Sequence, residues 1–415
     1  MKITGVIAEY NPFHNGHKYH LEQSRSLSGA DYVIAVISGD FMQRGIPAVT
    51  DKYTRTRMAL LNGADLVLEL PAVYAAGSAE FFAMGAISLF DKLGAVNFLC
   101  FGSECGNLKT LSRLAATLLE EPEEYRNVLR RSQKNGLSFP KARSLALQAS
   151  CPSDMDAAAA PNNILGIEYI KALLKRKSSI IPLTILRKDS GYHDISLPDC
   201  QQAKNPSFSS ASAIRNSIEN NGTVTDIEKY VPASVFRLLR KAYGKSFPIT
   251  SEDFSLLLQY RLLSEAPNGF SRYQDVTPDL SDKIKKNIYS YEGFEQFCGL
   301  LKSKNLTYSR ISRCFMHILL NMTTSGLEEY VQNDFIFYAR ILGFRRESAG
   351  LLSTLKANTS IPLISKLADA SACLQAPGLT MLEEDIRSAH IYHSVLCSKF
   401  HRPFTNEYAH PIIIL

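Results

Sequence analysis

The stretch Ile7-Ala8-Glu9-Tyr10-Asn11-Pro12-Phe13-His14-Asn15-Gly16-His17-Lys18-Tyr19-His20 concentrates the chemistry of this chain. An apolar strand ends at Glu9, a proline-containing loop turns, and His14-Asn15-Gly16-His17 opens the next helix. A helix N-terminus carries unpaired backbone N–H groups and about half a positive charge, so it seats phosphate, and flanking imidazoles add donors. Gly16, lacking a side chain, lets a ligand approach the backbone. A metal reading of His14, His17 and His20 fails on spacing: at i, i+3 and i+6 the third imidazole points away from the first. No cysteine pair nearby completes a ligand set, so no metal site is expected.

A second anion seat follows much later. In Ser207-Phe208-Ser209-Ser210-Ala211-Ser212-Ala213-Ile214-Arg215, small hydroxylated residues cap a helix and Arg215 follows one turn on. Between the two seats, Ser38-Gly39-Asp40-Phe41-Met42-Gln43-Arg44-Gly45 leaves a second apolar run, and Asp40 and Arg44 join His14 and His17 as candidate catalytic residues. Gly102 ends a fourth run, Asn162 and Asn163 begin a helix, and Arg187 and Lys188 follow a fifth run. Any one of these has an ordinary role open to it, as a turn, a cap or a solvated loop. Their joint placement at strand ends favours a site.

The elements that would position them read as alternating strand and helix. Continuous apolar runs at Ile3 to Ala8, Tyr32 to Ser38, Leu66 to Leu70, Phe98 to Phe101 and Ile180 to Leu186 fit strands covered on both faces. Helical periodicity separates them, at Gly16 to Ser26, Lys52 to Asn62, Ala79 to Leu93, several stretches from Leu108 to Gln148, and Ile164 to Lys175. That order predicts an α/β fold with a parallel sheet whose ligand sits at the carboxyl ends of the strands. Past about Tyr230 the pattern turns helical, interrupted by one strand-like run at Phe335 to Leu342. The expected division is therefore 1–229 for activation chemistry and 230–415 for a mostly helical second domain.

With 415 residues the chain exceeds one ordinary core, and its 45% apolar content describes a folded protein. It shows no apolar run approaching 18 residues and no signal-peptide pattern, so a cytoplasmic location is expected. The eight cysteines form no C-x-x-C pair, which argues against a zinc knuckle or redox motif. Net charge is +6, with 21 Lys plus Arg against 17 Asp plus Glu after position 229 and 25 against 23 before it. The excess permits a polyanionic partner. Basic residues beside aromatics, Arg237, Arg240, Lys241 and Tyr243 or Arg340, Phe344, Arg345 and Arg346, are candidates to grip RNA.

The His-x-Gly-His element after the first strand, paired with the late Ser-Ser-x-x-x-x-Arg element, is similar to the signature of the nucleotidyltransferase superfamily. The run Val6 to His17, together with Gly39 to Gly45, Arg340-Ile341-Leu342-Gly343-Phe344 and Ser360-Ile361-Pro362-Leu363-Ile364, more closely resembles the bacterial tRNA(Met) cytidine acetate ligase family over nearly the whole length. Ala211-Ser212 is a mild departure that leaves the hydroxyl-rich cap intact. The resemblance implies a Rossmann-like nucleotidyltransferase sheet with a mostly helical C-terminal domain. It also implies ATP-dependent activation of acetate to acetyl-adenylate, then acetyl transfer to the wobble cytidine of elongator tRNA(Met). ATP-binding positions would fall on Ile7 to His20, Gly102, Asn162 or Asn163, and Arg187, with Lys188, Ser209, Ser210 and Arg215 as further phosphate contacts and Mg2+ as companion ion. Two other classes remain open at this point. A cofactor adenylyltransferase needs no long helical C-terminal part, and a non-catalytic nucleotide or RNA binder does not need intact His14, His17 and Arg215.

Overall fold

A computed structural model describes residues 1–137, 139–187, 208–220 and 222–415. The five apolar runs form strands: β1 (Ile3–Ala8), β2 (Tyr32–Ser38), β3 (Leu66–Leu70), β4 (Phe98–Ser103) and β5 (Ile181–Leu186). They pair in the order β5-β4-β1-β2-β3, all parallel. Chain order reverses between β1 and β4, and the crevice outside the carboxyl ends of those two strands is where open α/β sheets hold ligands.

Helices cover both faces, which is why the strands carry no polar alternation. Ala79–Lys92 and Pro161–Arg176 pack on one face around Phe90, Leu89 and Ile170. Asn15–Ser28, Lys52–Leu61 and Ala233–Ala242 pack on the other, around Val33, Ala35, Met58 and Val235. Local signals set their ends: Asp51 caps Lys52–Leu61 by accepting the Thr54 N–H at 2.9 Å, and Gly29 ends Asn15–Ser28 at φ +60°.

The sheet does not stop where the helical stretch begins. β6 (Ala339–Phe344) lies antiparallel against β3, and the short β7 (Leu363–Ile364) and β8 (Ile413–Ile414) pair with opposite halves of β6. The strand-like run Phe335 to Leu342 is thus shifted by several residues, because Ile336 and Tyr338 are buried ahead of the paired segment. Helices Thr324–Gln332 and Ala349–Asn358 also had no counterpart in the sequence reading.

The helical region has its own core, and the loop after β2 inserts into it. Phe41 and Met42 are buried among Ile249, Phe254 and Leu258. Burying a side chain of that size contributes about 1.5–3 kcal/mol, enough to fix the loop carrying Arg44. No helix of the described residues is long and apolar enough to cross a membrane.

Candidate active site

A cavity of about 540 Å³ opens at the carboxyl ends of β1, β4 and β5. Ile7, Ala8, Glu9, Tyr10 and Asn11 form one side as β1 runs out. His14, Gly16, His17, Tyr19 and His20 bring in the start of the first helix. His14 is its N-cap, and the caps fix both tautomers: His14 Nδ1 accepts the Gly16 N–H at 3.1 Å, and His17 Nδ1 accepts the His14 N–H at 3.2 Å. With Nδ1 an acceptor in each neutral ring, the proton lies on Nε2, so both imidazoles offer an N–H. The rings stack with centroids 3.7 Å apart. Gly16 lines the cavity, and a Cβ there would also sit 2.9 Å from His14 Cε1.

Burial holds all three histidines neutral. It takes His14 down to about 3, with Arg187 and Arg215 adding repulsion, and His20 down to about 4. His17 is held well below its usual value by the same desolvation and then by His14. Neutral imidazoles hold their donors in place without repelling the guanidiniums beside them.

The wall opposite is built by a reciprocal clasp that sequence reading missed. The Glu104 carboxylate accepts the Asn162 Nδ2 at 2.6 Å and the Asn163 N–H at 2.9 Å, capping helix Pro161–Arg176. Asn163 Oδ1 in turn accepts the Glu104 N–H at 2.9 Å and the Cys105 N–H at 3.2 Å. Gly102 and Asn162 therefore line the cavity together, while Asn163 works behind them. Phe101, Tyr169 and Phe208 add apolar surface, flat enough to take a base.

Cations dominate the rest. Arg44, Arg187, Arg215 and Arg313 all line the cavity, and Glu9 is the only carboxylate among its described lining residues. Arg215 is steered by donating to the Asn11 carbonyl at 2.7 Å and the Ser212 hydroxyl at 3.1 Å. Ser210 caps the helix Ala211–Glu219, and the Ser209 hydroxyl is buried with no hydrogen-bond partner among the described residues, beside the space a ligand would fill. Arg313 pairs with Asp275 at 3.1 Å, and Arg44, Arg187 and Arg215 still outnumber Glu9 on the cavity wall, which suits a ligand with several negative charges. Ser309 and Arg313 come from the helical C-terminal region, and no local motif around them marks that role.

Several expected site residues stand elsewhere. Asp40 does not line the cavity: it accepts the Lys52 N–H at 2.8 Å, lies 3.7 Å from Arg55, and its carboxyl is pushed up to about 6 by burial. Phe13 is core, and Pro12 joins Asn11 through a cis bond behind the cavity lining. Asn15 donates to the Lys229 carbonyl at 2.9 Å, and Lys18 faces out toward Glu22 at 3.8 Å. Lys188 and Ser207 lie outside the described residues.

The basic-aromatic candidates fall in three different settings. Arg340 is buried between Glu69 and Glu407. The Arg345 N–H donates to the Asp65 carbonyl, at the amino end of β3, so Arg345 and Arg346 sit at the opposite end of the sheet from the cavity. Arg237, Arg240 and Lys241 are exposed on helix Ala233–Ala242, away from the lining of the 540 Å³ cavity.

Comparison with known proteins identifies the family. Residues 1–406 match the family model described as HIGH Nucleotidyl Transferase. A tRNA(Met) cytidine acetate ligase of Thermoanaerobacter sp. (strain X514) is 41% identical over 418 residues, and one of Acetivibrio thermocellus is 39% identical over 424, each match covering both chains in full. The crystal structure of Thermotoga maritima TmcAL bound with alpha-thio ATP superposes with a TM-score of 0.89 at 31% identity, and the apo form of the same protein with 0.92 at 32%, again over whole chains. The chain belongs to the HIGH nucleotidyl transferase family and, within it, to the tRNA(Met) cytidine acetate ligases.

Proposed function

We propose that this protein activates acetate with ATP and transfers the acetyl group to the wobble cytidine of elongator tRNA(Met), forming N4-acetylcytidine. The observation that carries the reading is the pairing of two neutral Nε2–H donors at a helix N-terminus with the Arg44, Arg187 and Arg215 guanidiniums around one carboxylate. An acetate oxygen attacks the α-phosphorus of ATP and pyrophosphate leaves. The exocyclic amine of cytosine then attacks the acetyl carbonyl, AMP leaves, and the amine loses a proton. His14 and His17 meet charge growing on the α-phosphate, while Arg215, Ser209, Ser210 and Arg187 hold the outer phosphates.

Mg2+ fits the donor set as an ion carried in on the phosphates, since hard cations take oxygens and Glu9 offers a carboxylate at the cavity wall. When bound it neutralises phosphate charge. Cys100 is buried and its thiol is pushed up to about 11, which disfavours a thioester route. We assign RNA holding to residues 230–415, with Ser309 and Arg313 reaching into the activation cavity.

The test is ATP–pyrophosphate exchange without RNA, followed by radiolabelled acetate incorporation into tRNA. Acetate-dependent exchange and ATP-dependent labelling are expected. Exchange that ignores acetate but responds to a phosphorylated cofactor would replace this reading with a cofactor adenylyltransferase.

A further inference from the structure

A second cavity of about 710 Å³ adjoins the first and shares Arg44, Arg215 and Ser309 with it. Its remaining cations are Lys302 and Lys304, both exposed and neither in an ion pair with a described residue. No carboxylate lines it. Ile46 and Tyr308 add apolar and aromatic surface to its lining.

The cavity is assembled from both halves of the chain. The turn carrying the lysines is closed by the Ser303 N–H donating to the Leu306 carbonyl at 3.1 Å and the Leu306 N–H returning at 3.2 Å. Thr307 then caps helix Tyr308–Leu320, whose Ser312 hydroxyl donates to the Gly45 carbonyl at 2.5 Å, next to Arg44. The lysines thus have a defined place relative to the activation cavity.

We propose that this second cavity is the channel by which the acceptor RNA strand reaches the acetyl-adenylate. Lys302, Lys304 and Arg44 hold successive phosphodiesters, and the strand lies over Tyr308 and Ile46 so that the target base passes the shared wall. Exposed lysines suit this role because they act as mobile point charges on a backbone, whereas a small anion needs the buried, forked contacts found in the first cavity. The proposal rests on the ligase reading for the identity of the RNA.

The test compares two charge-matched double variants, Lys302→Glu with Lys304→Glu and Arg345→Glu with Arg346→Glu, in tRNA affinity across a salt series and in RNA-free pyrophosphate exchange. The lysine pair should weaken tRNA binding at least about tenfold at low salt and flatten the logarithmic salt dependence by about 1 to 1.5, since each single-strand phosphate contact accounts for about 0.7. Its acetate-dependent exchange should persist, and the arginine pair should bind as wild type. Equal weakening by both pairs reduces the effect to net charge and overturns the channel. So does intact tRNA binding with a raised KM for pyrophosphate, which would make the cavity a seat for the triphosphate tail. Wild-type protein that lacks acetate-dependent exchange sinks the ligase reading instead, and the RNA-affinity comparison still decides the channel.

Discussion

Gly45 meets Arg313 backbone to backbone: a Cβ on Gly45 would lie 2.2 Å from the Arg313 amide nitrogen, and Gly45 adopts φ +72°. That contact seats the loop after β2 on the helix that sends Ser309 and Arg313 into the cavity. Gly45→Ala therefore meets two obstacles, a left-handed backbone and a backbone clash that no side-chain rotation relieves. The expected destabilisation is about 2–5 kcal/mol, summing strain and overpacking, read by denaturant unfolding. Unfolding at the wild-type midpoint would show that the two halves do not depend on this contact.

The tautomer argument separates capping from chemistry at His14. Asn is a good N-cap and keeps an acceptor for the Gly16 N–H, but it has no Nε2–H to offer. His14→Asn should melt near wild type while acetate-dependent pyrophosphate exchange falls about 10²–10³-fold. Exchange at the wild-type rate would remove the His14 donor from the mechanism.

The Glu104 clasp supports Gly102 and Asn162 without itself lining the cavity. Glu104→Ala uncaps helix Pro161–Arg176 and should cost about 0.5–2 kcal/mol of stability. It should raise the KM for ATP more than it lowers kcat, because the displaced residues bind rather than react. A fall in kcat alone, measured in the exchange assay, contradicts that assignment.

Acid should destabilise the fold through the buried histidines. Their folded values lie below the ordinary 6.5, at about 3 for His14 and about 4 for His20. Between those values and 6.5 the unfolded chain binds more protons, so their stabilising contribution is present above 6.5 and is lost as pH falls. Each contributes a slope of up to about 1.4 kcal/mol per pH unit. In denaturant melts from pH 7 to pH 5, His20→Gln should show a shallower decline than wild type, and an identical slope would mean His20 is not buried as described.

Lys52 lies 2.7 Å from Glu69 Oε1 and 2.6 Å from Glu407 Oε1, and Arg340 completes the buried group at 2.8 Å and 2.7 Å from the same two carboxylates. Lys52→Met leaves excess negative charge in a space where it cannot be hydrated. A loss of about 3–5 kcal/mol is expected in equilibrium unfolding, and adding Glu407→Gln should recover part of it. Additive losses would show that the two residues are not coupled.

The sequence by itself determined the parallel sheet from β1 to β5, because a strand buried on both faces must be apolar throughout and such runs are short and bounded. It also determined the His14 to His17 helix start, since caps and glycines act within a few residues, and the family, since the motif and its surroundings are contiguous. Only the tertiary structure decided which of those residues share a cavity. Asp40 and Asn163 stand in the right loops but turn to backbone N–H groups of neighbouring elements. Lys18 lies on the outward side of a helix whose other side carries His17 and His20. Ser309 and Arg313 are placed by packing against a loop more than two hundred residues earlier. β6 joins the sheet by pairing with β3 across a similar separation, and no local period encodes that choice. Short-range patterns record what a residue does to its own element, while the partners of Glu104, Arg215 and Arg313 depend on how distant elements close on one another.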